Sequence, residues 1–162
     1  MFEIKSLTRE RASDLVEVKS DISDDRWTES HFTADLPGKW QLSLLASSGD
    51  GALAGYVVAS IADPRRAHLH RIVVASEHRG KGLGKQLLDR LKEEARKHGL
   101  RQLSLKVAAD NNSAIKFYER EGMALDGGSS SENGSRYEWM TAGLGSGRVV
   151  ACHQPNFLPW AG

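Results

Sequence analysis

The chain has a single cysteine, Cys152, in 162 residues, so no intramolecular disulfide can form, which fits a reducing compartment. It also lacks an excess of either charge. Twenty-two Lys and Arg stand against 21 Asp and Glu, for a formal net charge of +1, with no basic stripe. A nucleic-acid partner is therefore not expected. No apolar run approaches the roughly 18 residues needed to span a bilayer, so no membrane association is expected. Six histidines are scattered without i, i+4 spacing, and no metal is expected. The opening Met1-Phe2-Glu3-Ile4-Lys5 lacks the basic-then-apolar pattern of a secretory signal, which makes the cytoplasm the expected location.

What is present suits one globular α/β domain: 40% hydrophobic and 27% charged residues, in a chain too short for two full cores. Phe2–Leu7 alternates as a short strand. Thr8 offers a hydroxyl cap to a helix with Ala12, Leu15, Val16 and Val18 on one side. Ser20–Gly38 reads as a loop with a short second helix. Trp40–Ala46, Leu53–Ile61 and Ala67–Ala75 read as three strands of an antiparallel meander, separated by the turns Ser47–Gly51 and Asp63–Arg66.

Gly80–His98 is the clearest helix, with Leu83, Leu87, Leu88, Leu91 and Ala95 at helical spacing and Gly99 as its stop. Leu103–Val107 follows as a strand. Asn111 or Asn112 then caps a helix that runs through Arg120 and ends at Gly122. Gly127–Gly134 reads as a flexible serine-rich loop, and Arg136–Thr141 as the last strand. This order predicts a mixed, mostly antiparallel α/β sheet flanked by helices.

The chemistry is concentrated where the third strand of the meander runs into the long helix: Val73-Val74-Ala75-Ser76-Glu77-His78-Arg79-Gly80-Lys81-Gly82-Leu83-Gly84-Lys85. Glycines let a backbone approach a ligand closely, and the first N–H groups of a helix lack intrahelical partners and favour negative charge. Arg79, Lys81 and Lys85 add positive charge, so the loop reads as a phosphate or pyrophosphate cradle. It is not a Walker loop, because Gln86 follows Lys85 and the four-residue spacer is missing. It is not the dinucleotide fingerprint, because Lys85 stands where the third glycine would fall.

The spacing Arg79-x-x-Gly82-x-Gly84 resembles the coenzyme A pyrophosphate loop of the GNAT acetyltransferase superfamily. Asn111-Asn-Ser-Ala-Ile-Lys-Phe-Tyr118-Glu-Arg-Glu-Gly122 is similar to that family's second signature. The detailed match covers roughly residues 69–123, and the element order is compatible over a domain of residues 1–142. The resemblance implies acetyl transfer from acetyl-CoA to a primary amine, through a ternary complex and without a covalent enzyme intermediate. It implies that Ile72, Val73 and Val74 lie beside the pantetheine arm, that Arg79, Gly80, Lys81, Gly82, Leu83, Gly84 and Lys85 hold the pyrophosphate, and that Asn111 bonds the coenzyme.

Tyr118, at the family's tyrosine position, is the expected catalytic residue that protonates or stabilises the leaving thiolate. An ammonium acceptor must also lose a proton. His70 is the suggested base because imidazole titrates near neutrality. His68 shares its face, and Glu77 and His78 follow in the turn. Some family members carry a carboxylate on the strand before Asn111, where this chain has Lys106. The acceptor side falls at roughly residues 20–38 and 127–135. Its expected occupant is a small-molecule amine such as an amino sugar; a protein amino group, or a non-catalytic acyl-CoA sensor, is the alternative. Many GNAT proteins pair through edge or exchanged strands, which is compatible with a homodimer.

Residues 143–148 read as a glycine-rich linker. Beyond it, His153-Gln-Pro-Asn-Phe-Leu-Pro-Trp160 is similar to the opening signature of WbqC-like proteins of polysaccharide pathways, with Phe157 where tyrosine is frequent. The resemblance implies that residues 149–162 begin a second, covalently attached domain of a longer protein.

Overall fold

The structure, a computed structural model, describes residues 1–18, 27–132 and 134–145. Seven strands are hydrogen-bonded in the order β1-β2-β3-β4-β5-β7-β6, with helices between them, the mixed α/β architecture expected from the element order. The strands are β1 (Glu3–Ser6), β2 (Leu44–Ser47), β3 (Leu53–Asp63), β4 (Arg66–Val74), β5 (Gln102–Ala108), β6 (Ala124–Glu132) and β7 (Ser135–Gly143). The helices are α1 (Arg9–Ala12), α2 (Glu29–Thr33), α3 (Lys39–Leu42), α4 (Leu83–Lys97) and α5 (Asn112–Arg120). The chain forms two compact units, one of residues 1–61 and 70–94, the other of residues 62–69 and 95 onward.

In the first unit, β1 and β3 flank β2, both antiparallel to it. Thr8 caps α1 as expected, its hydroxyl accepting the Arg11 N–H at 3.3 Å. The expected first helix is only four residues long, because the chain tightens into a 3₁₀ turn over Ser13–Glu17. Three residues per turn change the facing of the next side chain. Ala12, Leu15 and Val18 still join the core, whereas Val16 is half in solvent. The core of this unit gathers Leu7, Leu15, Phe32, Leu45, Tyr56 and Val73.

The expected strand Trp40–Ala46 is likewise corrected. Lys39–Leu42 forms the helical turn α3 and the strand begins at Leu44. The cause is Lys39, which shows no exposed surface. Its Nζ donates to the carbonyl oxygens of His31 (3.2 Å), Phe32 (2.7 Å) and Ala34 (2.5 Å), so it closes the carboxyl end of α2. Burial pushes the Lys39 ammonium below its ordinary range, and nearby Asp35 opposes that shift. Gly55 lets α4 lie close against β3, since a Cβ there would meet the Val73 carbonyl oxygen at 2.7 Å and Leu83 at 3.3 Å.

The second unit contains β5, β6, β7 and α5. β5 pairs parallel with the start of β4, Arg66–Leu69 against Gln102–Leu105, and antiparallel with β7 along its whole length. Gly99, at φ 77°, ends α4 as expected: the N–H groups of Gly99 and Leu100 return to the carbonyls of Arg96 and Ala95.

The expected loop Gly127–Gly134 is corrected. Ala124–Glu132 is β6, antiparallel to β7, with a register shift between Leu125 and Ser129. Gly127, at φ 89°, and the Asp126 carboxylate, which accepts the Gly128 N–H at 2.7 Å, absorb that irregularity. β7 extends through Gly143, and the buried Leu144 accepts the Arg96 Nε–H at 2.7 Å. The first two positions of the expected linker, Gly143 and Leu144, thus fall at the end of β7 and just after it. Residues 146–162, which hold the last three positions of that linker and the WbqC-like segment, lie outside the described residues.

Candidate active site

Ile72, Val73 and Val74 lie at the end of β4, where the ladder with β5 has already stopped at the pair Leu69–Leu105. Alternation along β4 puts Val73 in the core and leaves Ile72 and Val74 half-buried. A 3₁₀ turn over Ser76–His78 leads to Arg79, whose Nε donates to the Val74 carbonyl at 3.3 Å.

Gly80 and Gly82 then adopt φ 78° and 81°, the left-handed region in which side chains with a Cβ are strained. Helix α4 therefore starts at Leu83 and not at Gly80, a correction to the expected span. Its first helical bond runs from Gln86 N–H to Gly82 C=O at 3.1 Å. The N–H groups of Leu83 and Gly84 precede that bond, at the helix start where backbone donors suit an anion. Nothing lies within 4 Å of a Cβ built on Gly80 or Gly82, so the loop leaves room on that side. Lys81 and Lys85 are exposed at its rim, Lys85 paired with Asp89 at 3.0 Å. Backbone donors, a helix N-terminus, lysines and open space fit a pyrophosphate.

Asn111 and Tyr118 stand on another element, α5. Asn111 is the N-cap: its Oδ1 accepts the Ala114 N–H at 3.1 Å. That settles which of the two asparagines caps the helix and fixes the amide's orientation. Tyr118 is half-buried beside Phe117, with ring centres 5.3 Å apart. Burial pushes its phenol up to about 12, so it keeps its proton throughout the neutral range.

His70 is exposed on β4, with Nε2 2.7 Å from the Ser60 hydroxyl. His68 holds Nδ1 2.8 Å from the fully buried Ser104 hydroxyl. Neither serine was singled out in the sequence. Nor was Arg71, buried on the core side of β4, whose Nε donates to the Tyr56 hydroxyl at 2.7 Å and whose guanidinium lies over the rings of Trp27 and Phe32. Among the described residues, no three His, Cys, Asp or Glu side chains group as metal ligands would, and no helix is long and apolar enough to cross a membrane.

Residues 4–123 match the model of the acetyltransferase (GNAT) family. The chain belongs to the GNAT acetyltransferase family. Streptothricin acetyltransferase of Streptomyces lavendulae is 38% identical over 105 residues, 64% of this chain and 56% of that protein. N-alpha-acetyltransferase RimI of Mycobacterium tuberculosis is 32% identical over 124 residues, 74% of this chain and 76% of that one. Among solved structures, Ard1 from Thermoplasma volcanium matches with a TM-score of 0.77 over 88% of this chain and 97% of that one. At 19% identity, that likeness speaks for the fold alone. Both of these curated relatives are named as acetyltransferases. The chain spans about half the length, or less, of several curated relatives that it matches.

Proposed function

We propose that this GNAT chain transfers an acetyl group from acetyl-CoA to a primary amine, with Arg79–Lys85 holding the coenzyme's pyrophosphate. The observation that carries this reading is the pair of left-handed glycines ahead of Leu83, which aims a helix start at open space. The coenzyme's pantetheine arm would lie along Ile72–Val74, past the end of the β4–β5 ladder, where strand backbone can pair with it. The Asn111 amide, its oxygen committed to the cap, offers its N–H donors to the coenzyme.

The amine nitrogen bonds to the acetyl carbon, the carbon–sulfur bond breaks, and the sulfur leaves as a thiolate, which takes up the proton that the nitrogen sheds on becoming an amide. Full proton transfer from a phenol at about 12 to a thiolate, whose thiol titrates near ~8.5, runs uphill. Tyr118 therefore acts chiefly by donating a hydrogen bond to the leaving sulfur. His70, held by Ser60, takes the proton that the acceptor ammonium must lose.

The acceptor is a small amine-bearing metabolite. The resemblance of His153–Trp160 to WbqC-like proteins favours an amino sugar or its nucleotide-linked form, in a protein that carries a second domain. The test is a screen of primary amines, amino sugars among them, for amine-dependent release of coenzyme A thiol from acetyl-CoA. Release with at least one amine and acetylated product supports the reading. Coenzyme binding without release by any amine would instead favour the sensor.

A further inference from the structure

Lys106 places a primary ammonium at the centre of a half-buried patch on the second unit. β5 pairs with β7 so that Lys106 lies opposite Trp139 and Ala108 opposite Tyr137. Partners across a ladder share a face, so both aromatic residues stand on the face that carries the lysine. The Lys106 Nζ lies 5.5 Å from the centre of the Tyr137 ring. It also pairs with the carboxylate of Glu132, which β6 brings to the same face, opposite Ser135. His68 borders the patch, its ring 5.4 Å from Trp139. A carboxylate beside the face of an electron-rich ring is the arrangement that recognises an ammonium ion. In this chain, the ammonium that occupies it is the protein's own.

The ion pair is open to water. The Lys106 side chain is 29% exposed and that of Glu132 is 51% exposed. Pairs of that kind contribute little to stability, so a competing ammonium can replace Lys106 at small cost. The four-carbon stem of the lysine lets its charge swing to water without moving the strand.

We propose that Glu132 and Tyr137 form the ammonium subsite for the amine acceptor, and that Lys106 fills this subsite as an internal competitor until an acceptor displaces it. The inference rests on the reading that the chain acetylates primary amines. The exchange conserves charge: one ammonium leaves the Glu132 carboxylate and another takes its place, with no bond made or broken. The substrate class is a cationic primary amine whose neighbouring carbon skeleton lies against Tyr137 and Trp139. A neutral hydroxyl analogue of the same shape is refused, because it leaves the carboxylate uncompensated.

The two partners of the pair provide the test, because the proposal assigns them opposite signs. A salt bridge that only ties β5 to β6 would be lost equally on removal of either side chain. The subsite predicts that Lys106→Met lowers the acceptor KM by about threefold to fivefold and that Glu132→Gln raises it by about as much, with the acetyl-CoA KM unchanged in both.

A readout that needs no turnover is titration of propylammonium into the whole chain, with the Trp139 indole N–H resonance followed by NMR and propanol as the neutral control. We expect a saturable shift that tightens in Lys106→Met, weakens in Glu132→Gln and is absent with propanol. Equal weakening in both variants, or an equal response to propanol, overturns the proposal. Acetyl-CoA titration of the same samples separates the two readings. Coenzyme binding without the propylammonium pattern sinks the subsite alone, and the pattern without coenzyme binding sinks the acetyl-transfer reading instead.

Discussion

Lys39 carries a positive charge to a place without solvent, and three carbonyl oxygens at the end of α2 hold it there. Replacing it with methionine keeps the volume and leaves those acceptors unpaired. Lys39→Met should lower the unfolding free energy by on the order of 3 kcal/mol, as read by urea denaturation. Tyr118 gives the second prediction at this scale. Tyr118→Phe should cut turnover by about 10²-fold or more while keeping acetyl-CoA affinity. Because burial raises the phenol from 10.0 to about 12, the wild-type rate profile should show no alkaline limb near pH 10 from this residue. The same shift acts on stability. The folded state holds this proton more tightly than the unfolded chain, so its contribution is complete below pH 10 and is lost as pH rises toward about 12. Thermal melts over that window should fall less steeply for Tyr118→Phe than for the wild type.

At the scale of elements, β3 and α4 meet through an absence, the missing side chain of Gly55. A methyl group there would press on the Val73 carbonyl oxygen, which is backbone and cannot swing aside. Gly55→Ala should therefore destabilise the protein by about 1–3 kcal/mol and weaken coenzyme binding through the displaced strand–turn–helix, whereas Gly49→Ala, in open space, should do neither.

Long amphipathic runs were legible: α4 buries the five positions its spacing named. Boundaries that depend on tertiary partners were not. Trp40–Ala46 carries strand-forming residues, but Lys39 reaches back to α2 and holds the first part as a helical turn. Gly127–Gly134 has the composition of a loop, yet pairing with β7 makes Ser129–Glu132 strand, because backbone hydrogen bonds do not depend on side-chain type. The glycine loop and Tyr118 could be singled out because their motif is local. Ser104 and Glu132 could not, since their partners His68 and Lys106 lie 36 and 26 residues away and only the strand register joins them.

At the scale of the molecule, the chain is a GNAT domain whose proposed coenzyme-holding and catalytic residues come from separate stretches. His70 and the Ile72–Lys85 strand–turn–helix lie in the first unit, and Asn111 and Tyr118 stand on α5 in the second. The central claim is that Arg79–Lys85 binds the pyrophosphate of acetyl-CoA. Its most direct test is calorimetric titration of acetyl-CoA and desulfo-CoA into the wild-type chain and into Gly82→Glu. The variant puts a strained backbone and a negative charge where a pyrophosphate would sit. Binding of both ligands by the wild type and loss of both in the variant are expected, with the circular dichroism of the two proteins alike. Failure of the folded wild-type chain to bind either ligand, or undiminished binding by Gly82→Glu, would contradict that claim.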